Sequence, residues 1–247
     1  MASNNDHDHS PLSQFEIHSI FDINSNGINI SFTNSSLAMV STVAIITIFL
    51  TLTTKKRSLI PSRLQLISES MYNFIAQLLQ DTVGNEGKKY FPIVFSIFMF
   101  VLVGNMIGMI PYSFTFTSHI IVTFVLAAFV FIGVTILAFV KHGFKFFSFF
   151  VIPGLPFYML PLLIPIEVIS YLSRPVSLSV RLFANMLAGH TLLKVFAGFV
   201  VSLGIAGVLP LAFIVALTGL EILIAFLQAY VFAILTCLYI NDALHLH

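Results

Sequence analysis

Long apolar stretches separated by short polar segments dominate the hydrophobic pattern of this chain. A helix needs about 20 mostly apolar residues to cross the ~30 Å hydrocarbon core of a bilayer. Each stretch reaches or approaches that length, which predicts an all-α polytopic membrane protein with five membrane crossings. The five stretches comprise residues 37–54, 91–110, 120–140, 158–203 and 211–240.

A different pattern lies between the first two stretches. From residue 64 to residue 80, apolar side chains recur every three or four positions, and polar side chains occupy the opposite side of the helix. Such an amphipathic helix is typical of a segment that lies on the membrane surface. Its apolar residues are Leu64, Ile67, Met71, Ile75 and Leu78, and its polar residues are Glu69, Asn73, Gln77 and Gln80.

The last two stretches are longer than two simple crossings require. About 45 helical residues at 1.5 Å per residue reach ~65 Å, twice the bilayer core. Strong tilt, with kinks at prolines, accommodates such a length. We therefore expect 158–203 and 211–240 to form a long tilted hairpin, broken by the Gly- and Pro-containing turn at 204–210. The Phe-, Gly- and Pro-rich residues 142–157 favour an interfacial loop before the hairpin.

Basic residues predict the orientation of the crossings. Lysines and arginines follow the first stretch, precede the second and follow the third, whereas residues 111–119 contain none. Because cytoplasmic loops are enriched in Lys and Arg, the three basic clusters belong inside and the 111–119 loop outside. The amino terminus is then outside and the carboxyl terminus inside. Residues 1–36 are expected to form a polar outer tail, and residues 37–247 a single integral-membrane domain.

Composition supports the membrane assignment and removes several function classes. The 247 residues are 58% hydrophobic and 9% charged, whereas soluble domains carry about 25% charged residues. The net charge of +1 says nothing about nucleic acid, but the sequence shows no basic patch suited to binding it. The single cysteine, Cys237, excludes an internal disulfide and a cysteine-based metal site. The sequence also contains no nucleotide-binding loop and no metal-ligand cluster, so we expect no metal and no cofactor.

The amino-terminal residues differ from a targeting segment. The first 54 residues contain acids but no Lys or Arg, whereas signal peptides begin with positive charge and transit peptides are rich in Arg. The start is therefore expected to be mature. A disordered polar tail is the expectation for these residues, with metal binding by His7 and His9 as the open alternative.

Ionisable residues inside the apolar stretches are candidates for function, because a charge within a bilayer is costly. Glu167, Arg174 and Arg181 are spaced by seven residues, a step that returns almost to the same side of a helix. Asn185, one turn beyond Arg181, extends this stripe. His190 lies nine residues beyond Arg181 and therefore points to the opposite side of the helix.

The last stretch carries a polar face of its own. Glu221 and Gln228 are seven residues apart and share one side of the helix. In an antiparallel hairpin, His190 and Glu221 both lie towards the outer ends of their helices, where they are able to meet. Glu167 and its neighbour Ser170 lie towards the inner side. The pattern predicts two half-paths for a charge, one from each side of the membrane.

Arg181, between the two half-paths, carries the strongest functional signal. Its guanidinium stays protonated at any working pH, and holding it inside a bilayer costs several kcal/mol or more. Such a residue needs an anionic partner or an aqueous cavity. Simpler roles stay open at other positions, namely ion pairing of Glu167 with Arg174, extension of Lys194 to the outer headgroups and plain packing of His190.

Three other function classes fit the residues less well. A secondary transporter would show internal repeats in two halves, and none is visible in this sequence. A purely structural anchor leaves Arg181 without a role. A self-contained channel needs a ring of identical subunits or a central polar seam, whereas the intramembrane charges crowd into the last two stretches.

Two long motifs resemble subunit a of the rotary F-type ATP synthase. Residues 177–190 read SLSVRLFANMLAGH, and residues 221–230 read EILIAFLQAY. The resemblance extends over nearly the whole chain and favours the alphaproteobacterial branch, with mitochondrial relatives close to it. Shorter matches are FTNSS at 32–36, PYSFT at 111–115 and YINDA at 239–243.

The resemblance implies a stator subunit that packs against a ring of c subunits, each with one essential carboxylate. Arg181 then matches the arginine that faces those carboxylates. His190, Glu221 and Gln228 match the polar positions of the outer half-channel and the hairpin. Asn185 matches the asparagine one turn beyond the arginine.

The inner path, partners and location also follow from the resemblance. Glu167 matches an inner acid, and we expect it to act with Ser170 and Asn185, whereas no role carries over to Lys194. The implied partners are the c-ring, the peripheral-stalk b subunits and the lipid bilayer, without nucleic acid. ATP chemistry is expected in other subunits, so this chain is no enzyme on its own. The expected location is the bacterial inner membrane, with the mitochondrial inner membrane as the alternative. Protons are the expected ion, although the choice between proton and sodium stays open from this chain alone.

Overall fold

The computed structural model is almost entirely helical in the residues it describes. These are residues 16–21, 24–25, 28–29, 31–55, 61–110, 113–150 and 160–245. The α-helices are α1 (Asn34–Lys55), α2 (Arg63–Val83), α3 (Phe91–Gly108), α4 (Ile120–His142), α5 (Leu160–Leu203) and α6 (Val208–Leu244). The all-α polytopic membrane fold predicted from the apolar stretches is confirmed. Helices suit such stretches because they satisfy their own backbone hydrogen bonds in lipid.

Four helical stretches are long and apolar enough to cross a membrane. The last of them, Pro161–Leu244, contains both α5 and α6, which are separated by a 3-10 turn at Gly204–Gly207. Its 84 residues greatly exceed the ~20 residues of one crossing. The count of five crossings and the tilt of the hairpin stay predictions, as does the division at residue 37. The other three stretches are Asn34–Lys55, Arg63–Gly108 and Ile120–Phe146.

The residues before α1 contain strands that the sequence did not reveal. Strands of two or three residues are too short to show a periodicity. The pairs are β1 (Ser19–Phe21) with β4 (Phe32–Thr33) and β2 (Asn24–Ser25) with β3 (Ile28–Asn29), both antiparallel. The Thr33 hydroxyl then caps α1 by accepting a hydrogen bond from the Ser36 backbone N–H at 3.3 Å. His7 and His9 lie outside the described residues.

Helix α2 is the predicted amphipathic helix, and both of its ends have local causes. The Ser62 hydroxyl accepts a hydrogen bond from the Gln65 N–H at 3.3 Å, which caps the first turn. Gly84 ends the helix with φ of 78°, a conformation that glycine adopts without steric cost. The buried side chains are Ile75, Leu79 and Val83. Placement of α2 on the membrane surface stays a prediction.

The segment after α4 is more helical than the sequence indicated. Residues 142–157 were expected to form an irregular loop, but Gly143–Phe150 is a 3-10 helix. Phe146 packs against Ala138 and Ala243 in a buried apolar cluster. This packing outweighs the weak helical preference of a Gly- and Phe-rich segment. Residues 151–159 lie outside the described residues.

Helices α5 and α6 match the two predicted arms of the hairpin. Helix α5 runs for 44 residues and passes through Pro165 and Pro175. It ends at Leu203, and the next residue, Gly204, has a φ of 56°, which suits glycine. Helix α6 starts at Val208, three residues earlier than expected, and Pro210 lies in its first turn. A proline is tolerated there because N–H groups in a first turn have no intrahelical partner.

The chain divides into two compact units, and each contains its own polar cluster. The first unit comprises Met1–Arg57, Met99–His119 and Leu182–Ala229. The second comprises Ser58–Phe98, Ile120–Arg181 and Tyr230–His247. Several long helices contribute residues to both units, so functional residues on one helix belong to different clusters.

Candidate functional site

In the first unit, α5 and α6 bring His190 and Glu221 together. The His190 Nδ1 atom lies 3.2 Å from Glu221 Oε1, and the two side chains are 11% and 4% exposed. His190 lies 14 residues before Gly204, and Glu221 lies 14 residues after Gly207. Equal distances from the turn put the two residues level in an antiparallel hairpin, as the sequence analysis expected.

The Glu221 carboxylate is tightly enclosed and lacks hydrogen bonds. A Cβ atom on Gly189 would stand 2.7 Å from Oε1, so any larger residue there would push the carboxylate out of this position. Both carboxylate oxygens are buried, and neither has a hydrogen-bond partner among the described residues. The His190 contact is therefore within ion-pair distance but without the alignment of a hydrogen bond. A buried polar group in this state carries the desolvation cost of its unmade hydrogen bonds.

Thr115 contacts the other nitrogen of the His190 ring. Its Oγ1 lies 3.2 Å from His190 Nε2 and donates to the Gly108 carbonyl at 3.3 Å. The Thr115 backbone is fixed by its own segment, since the Ser118 hydroxyl donates to the Thr115 carbonyl at 2.6 Å. Glu221, His190 and Thr115 thus form a continuous polar row inside the first unit.

Asn105 adds a buried amide to the same unit. It is 0% exposed, and its Nδ2 donates to the Ala225 carbonyl at 3.4 Å. Ala225 lies one turn after Glu221 on α6. The Asn105 Oδ1 atom is buried without a hydrogen-bond partner among the described residues.

Asn105 and Thr115 were not among the residues predicted from the sequence. The prediction began from charged residues inside the apolar stretches, whereas both of these side chains are neutral and Thr115 lies in the 111–119 loop. A usable signal existed for Asn105, which is the single Asn, Gln or charged residue in the stretch 91–110. A buried amide needs hydrogen bonds, as a buried charge needs a partner. A neutral polar residue within an apolar stretch is therefore also a candidate site residue.

The second unit holds a different cluster, centred on Arg174. Its Nη1 donates to Asp242 Oδ2 at 2.8 Å, with the side chains 23% and 34% exposed. The guanidinium carbon lies 5.3 Å from the ring centroid of Tyr171 and 5.2 Å from that of Tyr239. The Tyr171 hydroxyl in turn lies 2.7 Å from Thr135 Oγ1. Arg174 is therefore held by an ion pair and two aromatic faces.

Arg181 differs from Arg174 in every respect. It is exposed, and no ion pair or hydrogen bond to it is recorded among the described residues. The opposite face of α5 is closely packed, with Ser179 and Met186 both 0% exposed. The guanidinium of Arg181 thus lies on the open side of the helix.

The remaining predicted site residues lie apart from these clusters. Glu167, Asn185 and Gln228 are half-buried, and Ser170 is exposed. The Ser170 carbonyl accepts a hydrogen bond from Ser173 Oγ at 2.7 Å. No hydrogen bond or ion pair is recorded for Glu167, Asn185 or Gln228 within the described part of the chain. The alternative pairing of Arg174 with Glu167 is replaced by the observed pairing with Asp242.

Membrane-length helices with buried ionisable side chains define a class, the polytopic α-helical membrane proteins with titratable groups inside their apolar segments. The motifs at 177–190 and 221–230 contain Arg181, His190 and Glu221, whereas Arg174 and Asp242 lie outside both motifs. The family model described as ATP synthase A chain matches residues 36–241. The chain therefore belongs to the ATP synthase A chain family.

Curated relatives carry the name ATP synthase subunit a. The protein of that name from Pelagibacter ubique (strain HTCC1062) is 63% identical over 241 residues, which cover 96% of this chain and 98% of the relative. The one from Chelativorans sp. (strain BNC1) is 60% identical over 242 residues, covering 95% and 97%. The one from Rhodospirillum rubrum is 56% identical over 240 residues, covering 97% and 100%.

Proposed function

We propose that this chain is the stator proton-channel subunit of the membrane sector of an F-type ATP synthase. Two aqueous half-channels deliver protons to and from the carboxylates of a rotating c-ring and so couple proton flow to ATP synthesis. The observation that carries the proposal is a contrast on α5. His190 is enclosed with Glu221, whereas Arg181 is exposed and has no ion pair or hydrogen bond among the described residues.

The outer half-channel consists of His190 and Glu221, with Gln228 further along α6. The Thr115 hydroxyl has one hydrogen, which it donates in a hydrogen bond to the Gly108 carbonyl. Its oxygen therefore accepts a hydrogen bond from His190 Nε2–H. In the neutral ring, Nδ1 then accepts a proton from Glu221. In the charged ring, Nδ1–H faces an ionised Glu221. A proton thus moves between the two residues while the Nε2 hydrogen bond stays in place.

Arg181 faces the ring carboxylates from the exposed side of α5. Its permanent charge attracts a carboxylate, favours the ionised form and repels protons that would slip directly between the half-channels. Small residues at one-turn spacing around it, Ser177, Ala184 and Ala188, are also exposed. They let a neighbouring helix approach closely, as small residues do between membrane helices.

The inner half-channel is formed by Glu167, Ser170 and Asn185. A ring carboxyl protonated from outside is neutral and crosses the lipid at modest desolvation cost. It loses its proton when it reaches the inner path. Each proton crossing 100 mV supplies about 2.3 kcal/mol, so several protons per ATP are required.

The partners of this subunit are the c-ring, the peripheral-stalk b subunits and the bilayer. ATP chemistry takes place in other subunits, so the chain has no catalytic activity alone. Its location is the bacterial inner membrane, with the mitochondrial inner membrane as the alternative. The identity of relatives from Pelagibacter and Rhodospirillum supports the bacterial location.

Substitution of Arg181 tests the proposal. We expect Arg181→Ala to abolish ATP-driven proton uptake by inverted vesicles of the assembled complex, while passive proton leak persists or rises. Lys194→Gln serves as the matched control. It removes another cation of α5, one to which no role in the proton path is assigned, and should leave pumping intact. ATP-driven, inhibitor-sensitive pumping in the Arg181→Ala vesicles would defeat the proposal.

A further inference from the structure

An apolar cavity of about 660 Å³ lies in the second unit among α3, α4 and α6. Its lining is almost entirely aliphatic and aromatic, with Ile93 from α3, Phe129 and Val140 from α4, and Ile240 from α6. Phe129 is 66% exposed and Val140 is 78% exposed, so the cavity is open. Nothing in the proposed proton path uses it.

The dimensions of the cavity fit one lipid chain better than a helix. The lining runs along α4 from Phe129 to Val140, about 16 Å at 1.5 Å per residue, which is half of the ~30 Å bilayer core. Ligand cavities usually enclose about 300–1,000 Å³. A membrane-spanning helix ~10 Å wide and ~30 Å long fills roughly 2,400 Å³, so the cavity matches an occupant confined to one leaflet.

Lysines lie next to one end of the cavity in the sequence. Tyr90 lines that end and directly follows Lys88 and Lys89, which are exposed and have no recorded ion pair among the described residues. Lys141 follows Val140 but donates to Glu86 at 2.8 Å. This contact lowers the pKa of Glu86, which keeps the pair ionised and Lys141 engaged. Lys88 and Lys89 are therefore exposed cations next to Tyr90, available to a ligand at this end.

We propose that the cavity binds an acyl chain of an anionic phospholipid from the inner leaflet, with Lys88 and Lys89 contacting its phosphate. Basic residues beside apolar clefts on the cytoplasmic side are suited to anionic headgroups. Gly133 lines the cavity, and a Cβ there would meet nothing within 4 Å. The cavity thus has space for a chain along α4 and a cationic end for the headgroup.

Because the sequence contains no tryptophan, a single introduced tryptophan is the one tryptophan fluorophore in the chain. Tyr90→Trp places one fluorophore in the cavity, and Ile132→Trp places one on α4 at a side chain 55% exposed that does not line it. The full chain is reconstituted in phosphatidylcholine containing brominated phosphatidylglycerol, and quenching is compared with the brominated phosphatidylcholine reference. We expect about fivefold preference for the anionic lipid at Tyr90→Trp and no preference at Ile132→Trp.

Two further changes separate headgroup from chain. Lys88→Gln with Lys89→Gln should remove the preference, whereas Lys55→Gln with Lys56→Gln, an equal loss of charge elsewhere, should retain it. Gly133→Leu should fill the cavity and reduce quenching of the Tyr90→Trp reporter to the level of the control position, and Gly133→Ala should change it little.

Several results would overturn the assignment. Equal quenching by both lipids at Tyr90→Trp, or a preference that survives the lysine changes, would show that no anionic lipid is selected. Absence of quenching would show that the cavity is closed or filled by a protein helix. If Gly133→Leu fails to fold, the lysine variants and the two reporter positions still decide the outcome.

Discussion

Gly189 on α5 lies directly against the carboxylate of Glu221 on α6. A Cβ at residue 189 would stand 2.7 Å from Oε1 and 3.0 Å from Cδ of Glu221. Neither distance accommodates a methyl group, so the missing side chain sets how closely the carboxylate approaches His190. The smallest residue of the motif thereby controls the geometry of the acid–histidine pair.

Replacement of Gly189 should disturb proton transfer without removing any titratable group. We expect Gly189→Ala to displace the Glu221 carboxylate and slow ATP-driven proton uptake by about tenfold or more, since a shift of ~1 Å at a reacting group can cost 100-fold. Gly198→Ala on the same helix is the matched control, because a Cβ there meets nothing within 4 Å. Equal uptake rates in the two variants would show that the close contact has no functional weight.

Exchange of the acid and the histidine tests their direct coupling. Either His190→Glu or Glu221→His alone leaves two like groups facing each other at the position where Nδ1 and Oε1 are 3.2 Å apart. We expect each single variant to lose most proton uptake and the double variant to regain part of it. The same vesicle assay measures all three. A double variant no better than the worse single variant would mean that the two residues act independently.

Thr115 should tune the histidine through its hydroxyl. Thr115→Ala removes the oxygen that lies 3.2 Å from His190 Nε2, and we expect it to lower the rate of proton uptake several-fold and to shift the pH at which uptake is half-maximal. Thr115→Ser keeps the hydroxyl and should preserve the wild-type pH profile. If Thr115→Ser shifts the profile as far as Thr115→Ala does, the methyl packing of Thr115 matters and its hydrogen bond does not.

The sequence predicted the features that depend on helix length and helix phase. The apolar stretches 37–54, 91–110 and 120–140 became α1, α3 and α4 with ends displaced by only a few residues. The meeting of His190 with Glu221 followed from their positions towards the outer ends of two antiparallel helices. Both arguments are local or depend on one antiparallel hairpin, so they need no knowledge of how the other helices pack.

Features that depend on packing between distant segments escaped prediction. Asn105 and Thr115 join the polar row only because α3 and the residues after it pack beside α5 and α6 in the first unit. The Arg174–Asp242 ion pair, in contrast, was predictable from the sequence. Arg174 precedes Gly204 by 30 residues and Asp242 follows Gly207 by 35, so both lie near the far end of the hairpin from the turn. Asp242 is also the single acid after Glu221.

The Arg174–Asp242 pair should stabilise the inner end of the hairpin rather than carry protons. Asp242→Asn leaves a half-buried guanidinium without its carboxylate, and we expect a lower thermal unfolding temperature of the purified complex. Arg174→Gln with Asp242→Asn should recover part of the loss, with a coupling energy of about 1 kcal/mol, because the side chains are about a quarter to a third exposed. Glu167→Gln provides the control, since this acid has no recorded ion pair in the described residues, and its unfolding temperature should match that of the wild type. A coupling energy of zero between residues 174 and 242 would show that their ion pair does not stabilise the protein. A destabilised Glu167→Gln variant would show that Glu167, rather than Asp242, is the acid on which stability depends.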